Sequence, residues 1–269
     1  MSSQKRVRPL AETLTCFGVG DGWPCDDRRH SSFLYRMGGQ QILVDCGDGL
    51  STAFRASRES YEMLDAVFLS HMHSDHVGGF LMFVQGLWLE RRRRPLTVYM
   101  PAEGIEPLRD MLNCAYLFEE LIGFPLNFKA LRMGRPVVVG NVTVTPHRTQ
   151  HLRNLRQSFG WKYRQKFECF SFVLEAPGIR VGHSADIGEI QDLEVLLSKP
   201  LTHLLCELAH CELEDICGAL KGRSVGRVSF VHLTDTLWRH PTRTRRALKS
   251  ALGGLAFDIA REGRRTSLR

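Results

Sequence analysis

No run of apolar residues in this 269-residue chain approaches the roughly 18 that a membrane helix requires. Membrane insertion as a helix is therefore not expected. Met1 to Arg6 carries a little positive charge but no apolar h-region follows, so no secretory signal is expected either. The cysteines, at 16, 25, 46, 114, 169, 206, 211 and 217, contain no C-x-x-C pair. Several sit in apolar stretches, as Cys46 and Cys206 do, which suits reduced, mostly buried thiols of a cytoplasmic protein better than a disulfide framework. Cys206, Cys211 and Cys217 match no usual zinc spacing. Gly18-Val19-Gly20-Asp21-Gly22 lacks the G-x-G-x-x-G spacing, and Trp23-Pro24-Cys25-Asp26 does not open a helix. A dinucleotide loop is thus excluded in favour of a tight glycine turn near the functional cleft. No low-complexity segment or linker divides the chain, so one domain over residues 1–269 is expected, and 43% apolar content is ample for its core.

What the chain does have is His71-Met72-His73-Ser74-Asp75-His76, directly after the strand-like Ala66-Val67-Phe68-Leu69-Ser70 and before Gly78-Gly79. Burying three imidazoles and a carboxylate without partners is costly. Imidazole nitrogen and carboxylate oxygen are the donors that Zn²⁺ and similar divalent ions accept. Four such groups exceed the need of one metal with an open position, so two metals sharing the loop are expected. Further candidates recur at the ends of strand-like runs. Val142 to Pro146 leads to His147 and His151, Gly178 to Gly182 leads to His183 and Asp186, and Arg227 to Val231 leads to His232. Strands presenting ligands at one edge would gather them into one cleft.

The order His-x-His-x-Asp-His, later His, Asp, final His resembles the metallo-β-lactamase superfamily. Phe17 to Pro24, Arg29 to Ser32, Leu43-Val44-Asp45-Cys46-Gly47-Asp48-Gly49 and Pro95 to Tyr99 resemble its ribonuclease Z-like branch. The resemblance implies an α/β fold, a four-layer αββα sandwich with a dimetal site at one edge of the sheets. It assigns His71, His73 and His151 to one ion, Asp75, His76 and His232 to the other, and Asp186 to both. The implied cofactor is two divalent metal ions, zinc first, with manganese or iron as alternatives. His151 is favoured over His147 as the later ligand. Asp45 is expected to orient a ligand histidine from behind, as such sites require, and His183 to be hydrogen-bonded at its strand end.

The implied chemistry is hydrolysis of a phosphodiester by hydroxide generated between the metals, with Asp75 as proton acceptor. Ribonuclease Z carries His-Glu-Ala-Thr after the bridging aspartate; this chain has Cys206-Glu207-Leu208-Ala209-His210 there. That departure puts tRNA processing in doubt and makes His210 the candidate proton donor. The stretch between His151 and Asp186 is also too short for a tRNA-gripping arm. Its basic and aromatic part, 153–166, suits either a reduced nucleic-acid contact or a solvated loop edge. Net charge is +7, from 36 basic and 29 acidic residues, and Arg91-Arg92-Arg93-Arg94 reads as a solvated helix end complementing the dipole. The partner expected is therefore a small-molecule or nucleic-acid phosphodiester, and a homodimer is open to it. The alternatives are a carboxylic ester or lactone hydrolase, and a non-catalytic metal-binding scaffold.

Strands are expected over 12–18, 32–37, 40–45 and 224–232. Helices are expected over 79–92, 104–122, 188–197 and 243–261, the last basic and amphipathic. A weak self-similarity of the two halves accompanies them.

Overall fold

The structure, a computed structural model, describes residues 12–269; the stretch Met1 to Arg6 lies outside the described residues. The first half contributes β1 (Thr13–Gly18), β2 (Ser32–Met37), β3 (Gln40–Val44), β4 (Ala66–Phe68), β5 (Leu96–Met100) and β6 (Leu126–Ala130). The second contributes β7 (Val137–Val139), β8 (Val142–Arg148), β9 (Phe170–Ala176), β10 (Ile179–His183), β11 (His203–Leu208), β12 (Val228–Leu233) and β13 (Phe257–Ile259). A final strand, β14 (Arg265–Ser267), returns to the first sheet. The two seven-stranded sheets run β14-β1-β2-β3-β4-β5-β6 and β13-β12-β11-β10-β9-β8-β7. Each sheet starts with antiparallel hairpins and continues as parallel strands, from β3 in one and from β10 in the other. This shared plan matches the self-similarity of the sequence halves.

Alternation along the strands explains the layers. Phe33, Tyr35, Ile42 and Val44 enter the core shared by the two sheets, together with Phe172, Leu174 and Val181. Their neighbours Leu34 and Leu43 point the other way, onto Phe54, Phe83, Val84 and Leu108. These four belong to α1 (Leu50–Ala56), α3 (Phe80–Leu89) and α4 (Ile105–Cys114), while α2 (Ser74–Val77) is a single turn that carries Asp75 and His76. On the other side, Val228 and Phe230 pack with Ile216 and Leu248, from α7 (Leu213–Leu220) and α9 (Pro241–Leu252). The remaining helices are α5 (Glu119–Ile122), α6 (Arg153–Phe159) and α8 (Asp235–Arg239). A period-2 pattern with both faces buried can only be satisfied by covering both sheets. The result is a four-layer αββα sandwich.

Several element expectations need correction. The stretch 104–122 is two helices, because Tyr116 takes a left-handed φ of 58° between them. Residues 188–197 form two 3₁₀ turns, Ile190–Leu193 and Leu196–Ser198, the first closed by a Glu189–Asp192 capping box. The basic C-terminal helix stops at Leu252, where Gly253 turns left-handed, and Phe257–Ile259 pairs with β12 as a strand. The arginine run is not a solvated helix end throughout. Arg92 is 1% exposed and donates to the carbonyls of Tyr61, Leu64, Arg94 and Pro95. Its guanidinium is thus consumed as a buried clamp on the loop before β4.

Candidate metal centre

Every site residue lies at the exit of a strand, on the same edge of the two sheets. Asp45 follows β3, His71 to His76 follow β4, His151 follows β8, Asp186 follows β10, Glu207 and His210 end and follow β11, and His232 closes β12. Two loops are pressed together there. Cys46 N–H donates to the His76 carbonyl at 2.7 Å, and Gly79 N–H donates to the Cys46 carbonyl at 2.9 Å. A Cβ on Gly79 would lie 2.2 Å from the Gly47 carbonyl oxygen, so this approach is open to glycine alone. Asp45, Ala185 and His232 adopt left-handed φ values of 60°, 47° and 51°. Such backbone is costly for non-glycine residues and is held only where its surroundings dictate it. All three border the cluster.

The side chains form two four-residue groups that share one carboxylate, Asp186, which also belongs to a smaller group with Glu207 and His210. His71, His73, His151 and Asp186 bring ligand atoms within 4.8 Å of one another, and so do Asp75, His76, Asp186 and His232. Asp186 is 2% exposed. Its Oδ2 lies 3.7 Å from His71 Nε2, 3.5 Å from His151 Nε2 and 3.6 Å from His232 Nε2, and its Oδ1 lies 3.3 Å from His76 Nε2. Yet His71 Nε2, His76 Nε2 and Asp186 Oδ1 are buried and make no hydrogen bond. Buried polar atoms nearly always find partners, and three orphans gathered around one shared carboxylate are what the ligands of cations look like from the protein side. The donor set of imidazole and carboxylate suits zinc, manganese or iron. The residues present therefore fit divalent metal ions.

The far sides of the rings are fixed. Asp45, fully buried, takes Ser70 N–H at 2.7 Å and Ser70 Oγ–H at 2.9 Å, and lies 2.7 Å from His76 Nδ1. Ser70 Oγ also lies 3.0 Å from His71 Nδ1, and Ser31 Oγ lies 3.2 Å from His232 Nδ1. Thr149 Oγ1 donates to the Asp186 carbonyl at 2.8 Å. The role read for Asp45 from sequence matches this geometry. Ser31 and Ser70 were not singled out, although both lie inside recognisable motif stretches.

Charge follows the same arrangement. Burial opposes protonation of His76, but the carboxylates of Asp186 and Asp45 outweigh it and raise its pKa well above the ordinary range. Burial pushes the Asp186 carboxyl up, while His232 and His76 pull it further the other way, leaving it well below the usual carboxylate value. Asp75 behaves likewise: burial raises it, and the bond and charge of His76 bring it below the ordinary range. Burial lowers His71, and lowers His151 to about 3. Bound cations would take over the compensating positive charge and displace the proton.

His210 stands beside this centre, with Nε2 4.0 Å from Asp186 Oδ2 and the side chain 32% exposed. Its Nδ1 lies 2.9 Å from Glu207 Oε1. Burial lowers its pKa, but the bond and charge of Glu207 prevail and raise it to about 9. Glu207, 1% exposed, also takes the N–H groups of Ile187, Ala209 and His210 at 2.9, 2.7 and 3.0 Å. One carboxylate thus ties the bridging-aspartate loop to His210. Glu207 is the principal residue the sequence reading did not assign, and its only signal was its place between Cys206 and His210.

The other candidates fall outside the cluster. His147 lies within β8 and is not among the grouped ligands. His183 is buried, with Tyr35 Oη 2.7 Å from its Nδ1, and burial lowers it to about 4. Cys206 is buried with its Sγ near its own strand's backbone. The glycine turn borders the cleft as expected, with Gly22 against Asp75.

The sequence pattern of the Beta-lactamase superfamily domain matches residues 40–236. Among curated proteins, the chain is 28% identical over 139 residues to ribonuclease Z of Archaeoglobus fulgidus, covering 52% of this chain and 44% of that protein. It is 28% identical over 155 residues to ribonuclease Z of Methanothermobacter thermautotrophicus, covering 57% and 50%. The matched stretch spans about half the length of these curated relatives or less. Among solved structures, the metallo-beta-lactamase fold protein YhfI of Bacillus subtilis superposes with a TM-score of 0.72 at 22% identity, covering 95% of this chain and 99% of that one. Human tRNase Z, short form, gives 0.70 at 15% identity, covering 96% and 99%.

Proposed function

This chain belongs to the beta-lactamase superfamily, and from that premise we propose that it is a metal-dependent hydrolase cleaving phosphodiesters. His71, His73 and His151 would hold one divalent ion, Asp75, His76 and His232 the other, and Asp186 both. The observation that carries the reading is the pair of four-residue clusters sharing Asp186, with three of their ligand atoms buried and unpartnered. Two bound ions supply Lewis-acid polarisation of the phosphoryl group and an activated water at neutral pH.

The chain's own groups supply the rest. Water attacks phosphorus, its proton passes to Asp75, and the bond from phosphorus to the leaving oxygen breaks as that oxygen takes a proton from His210 Nε2. Glu207 accepts Nδ1–H and stabilises the imidazolium form of His210, whose second proton sits on Nε2, the nitrogen nearest Asp186. His210 thereby takes the donor place that Cys206 cannot fill, since burial holds that thiol well above its ordinary pKa. A cytoplasmic setting is part of the proposal, and free, largely buried cysteines suit it.

The proposal favours small phosphodiesters over precursor tRNA. Between His151 and Asp186 the chain makes only the short α6, one loop and the β9–β10 hairpin. The test is catalytic efficiency on metal-loaded protein. A diaryl phosphodiester is expected to exceed aryl acetate, acyl-homoserine lactone, β-lactam and precursor tRNA. Asp186→Ala is expected to abolish turnover and to lower the metal content from two equivalents. A lactone or ester at the head of the ranking would overturn the reaction class, and efficient tRNA trailer cleavage would overturn the substrate size.

A further inference from the structure

His210 is shared between the metal centre and a cavity of about 500 Å³ on its other side. That cavity lies between α7 and the α8–α9 segment, with a floor that includes Leu208, Leu213 and Ala247. Its volume is that of a small-molecule site. If His210 protonates the leaving oxygen, the departing alcohol must extend away from the metals, past His210. The cavity is the space that lies there.

The walls of the cavity differ in charge. The α7 side presents Glu212 and Glu214, acceptors suited to hydroxyl groups. The α9 side presents His240 and Arg243. Arg243 makes no ion pair among the described residues, whereas Arg239 one turn earlier pairs with Asp235 at 2.6 Å. Arg243, exposed at the cavity's rim, therefore has a guanidinium not engaged in an ion pair among the described residues, with planar geometry suited to a carboxylate or a phosphate.

We propose that the cavity holds the leaving group and that the substrate is a small phosphodiester whose departing alcohol ends in an anion, bound by Arg243. This rests on the phosphodiesterase reading above. The step is the hydrolysis already described: the bond from phosphorus to the alcohol oxygen breaks, water supplies the new oxygen on phosphorus, and the alcohol leaves protonated.

The experiment uses the metal-loaded 269-residue chain and three methyl aryl phosphodiesters. Their leaving groups are 2-nitrophenol, 4-carboxy-2-nitrophenol and the corresponding phosphonomethyl phenol. The anionic pair is expected to be preferred, mainly through a lower KM, as uniform binding requires. Which of the two leads separates carboxylate from phosphate. Arg243→Ala is expected to cut that preference roughly 10- to 100-fold, the range of a charge-assisted hydrogen bond, and Arg243→Lys to restore part of it. Calorimetric binding of the free carboxyphenol should weaken in parallel, and this readout needs no turnover. If no phosphodiester is cleaved but the carboxyphenol binds in an Arg243-dependent way, the site stands and the reaction class falls. Equal loss on all three esters, or carboxyphenol binding unchanged by Arg243→Ala, would overturn the proposal. So would displacement of the phenol by a short oligoribonucleotide more tightly than by any small anion.

Discussion

Replacing Asp45 by Ala separates ligand orientation from mere packing. The wild-type carboxylate is fully buried and serves Ser70 N–H, Ser70 Oγ–H and His76 Nδ1, all between 2.7 and 2.9 Å. Its removal leaves a buried backbone donor without a partner and frees the His76 ring to turn. Breaking a buried charged contact of this kind costs about 3–5 kcal/mol, and metal affinity should fall about 10- to 100-fold when the group behind a ligand histidine is lost. Denaturant unfolding of metal-free protein measures the first quantity, and competition against a chromophoric chelator measures the second. Asp45→Asn should recover part of the affinity, because its amide oxygen can still accept from His76. Affinity unchanged in the alanine variant, with stability reduced, would refute the orienting role and leave Asp45 as a packing residue alone.

Three further outcomes are expected. His203, buried and hydrogen-bonded to Ser229 Oγ at 3.0 Å, is lowered to about 4 chiefly by burial. Its contribution is therefore complete above the unfolded value near ~6.5 and is lost as pH falls toward 4. It should account for about 2 kcal/mol of the stability lost between pH 7 and 5, which His203→Asn should remove in pH-dependent denaturation. Because Glu207 favours the protonated form of His210, turnover should decline on the alkaline side of the pH–rate profile. In Glu207→Gln the decline should begin at lower pH, and an unmoved limb in the pH–rate profile would contradict the donor role. Arg92→Ala should cost about 3 kcal/mol, since the buried carbonyls of Tyr61 and Leu64 and the part-buried ones of Arg94 and Pro95 lose their donor. Arg91→Ala should change thermal stability little.

The sequence by itself determined which residues are candidate ligands and their order along the chain. Closely spaced histidines and a carboxylate at a strand end are a local pattern, and each later candidate follows its own apolar run. It also determined the sandwich, because Ile42-Leu43-Val44 and Phe33-Leu34-Tyr35 have no polar face to give to water. Tertiary structure decided the rest. That Glu207 joins the Asp186 loop to His210 depends on β10 and β11 lying side by side, a pairing no local spacing encodes. That Arg92 is a buried clamp while Arg91 beside it takes a left-handed turn depends on the carbonyls of a loop about 30 residues earlier in the chain. The end of α9 at Leu252 was written locally in Gly253-Gly254, but the pairing of Phe257–Ile259 was set by the open edge of β12. Short-range periodicity records which face of an element is apolar. Which distant backbone or carboxylate meets it is fixed only when the chain closes on itself.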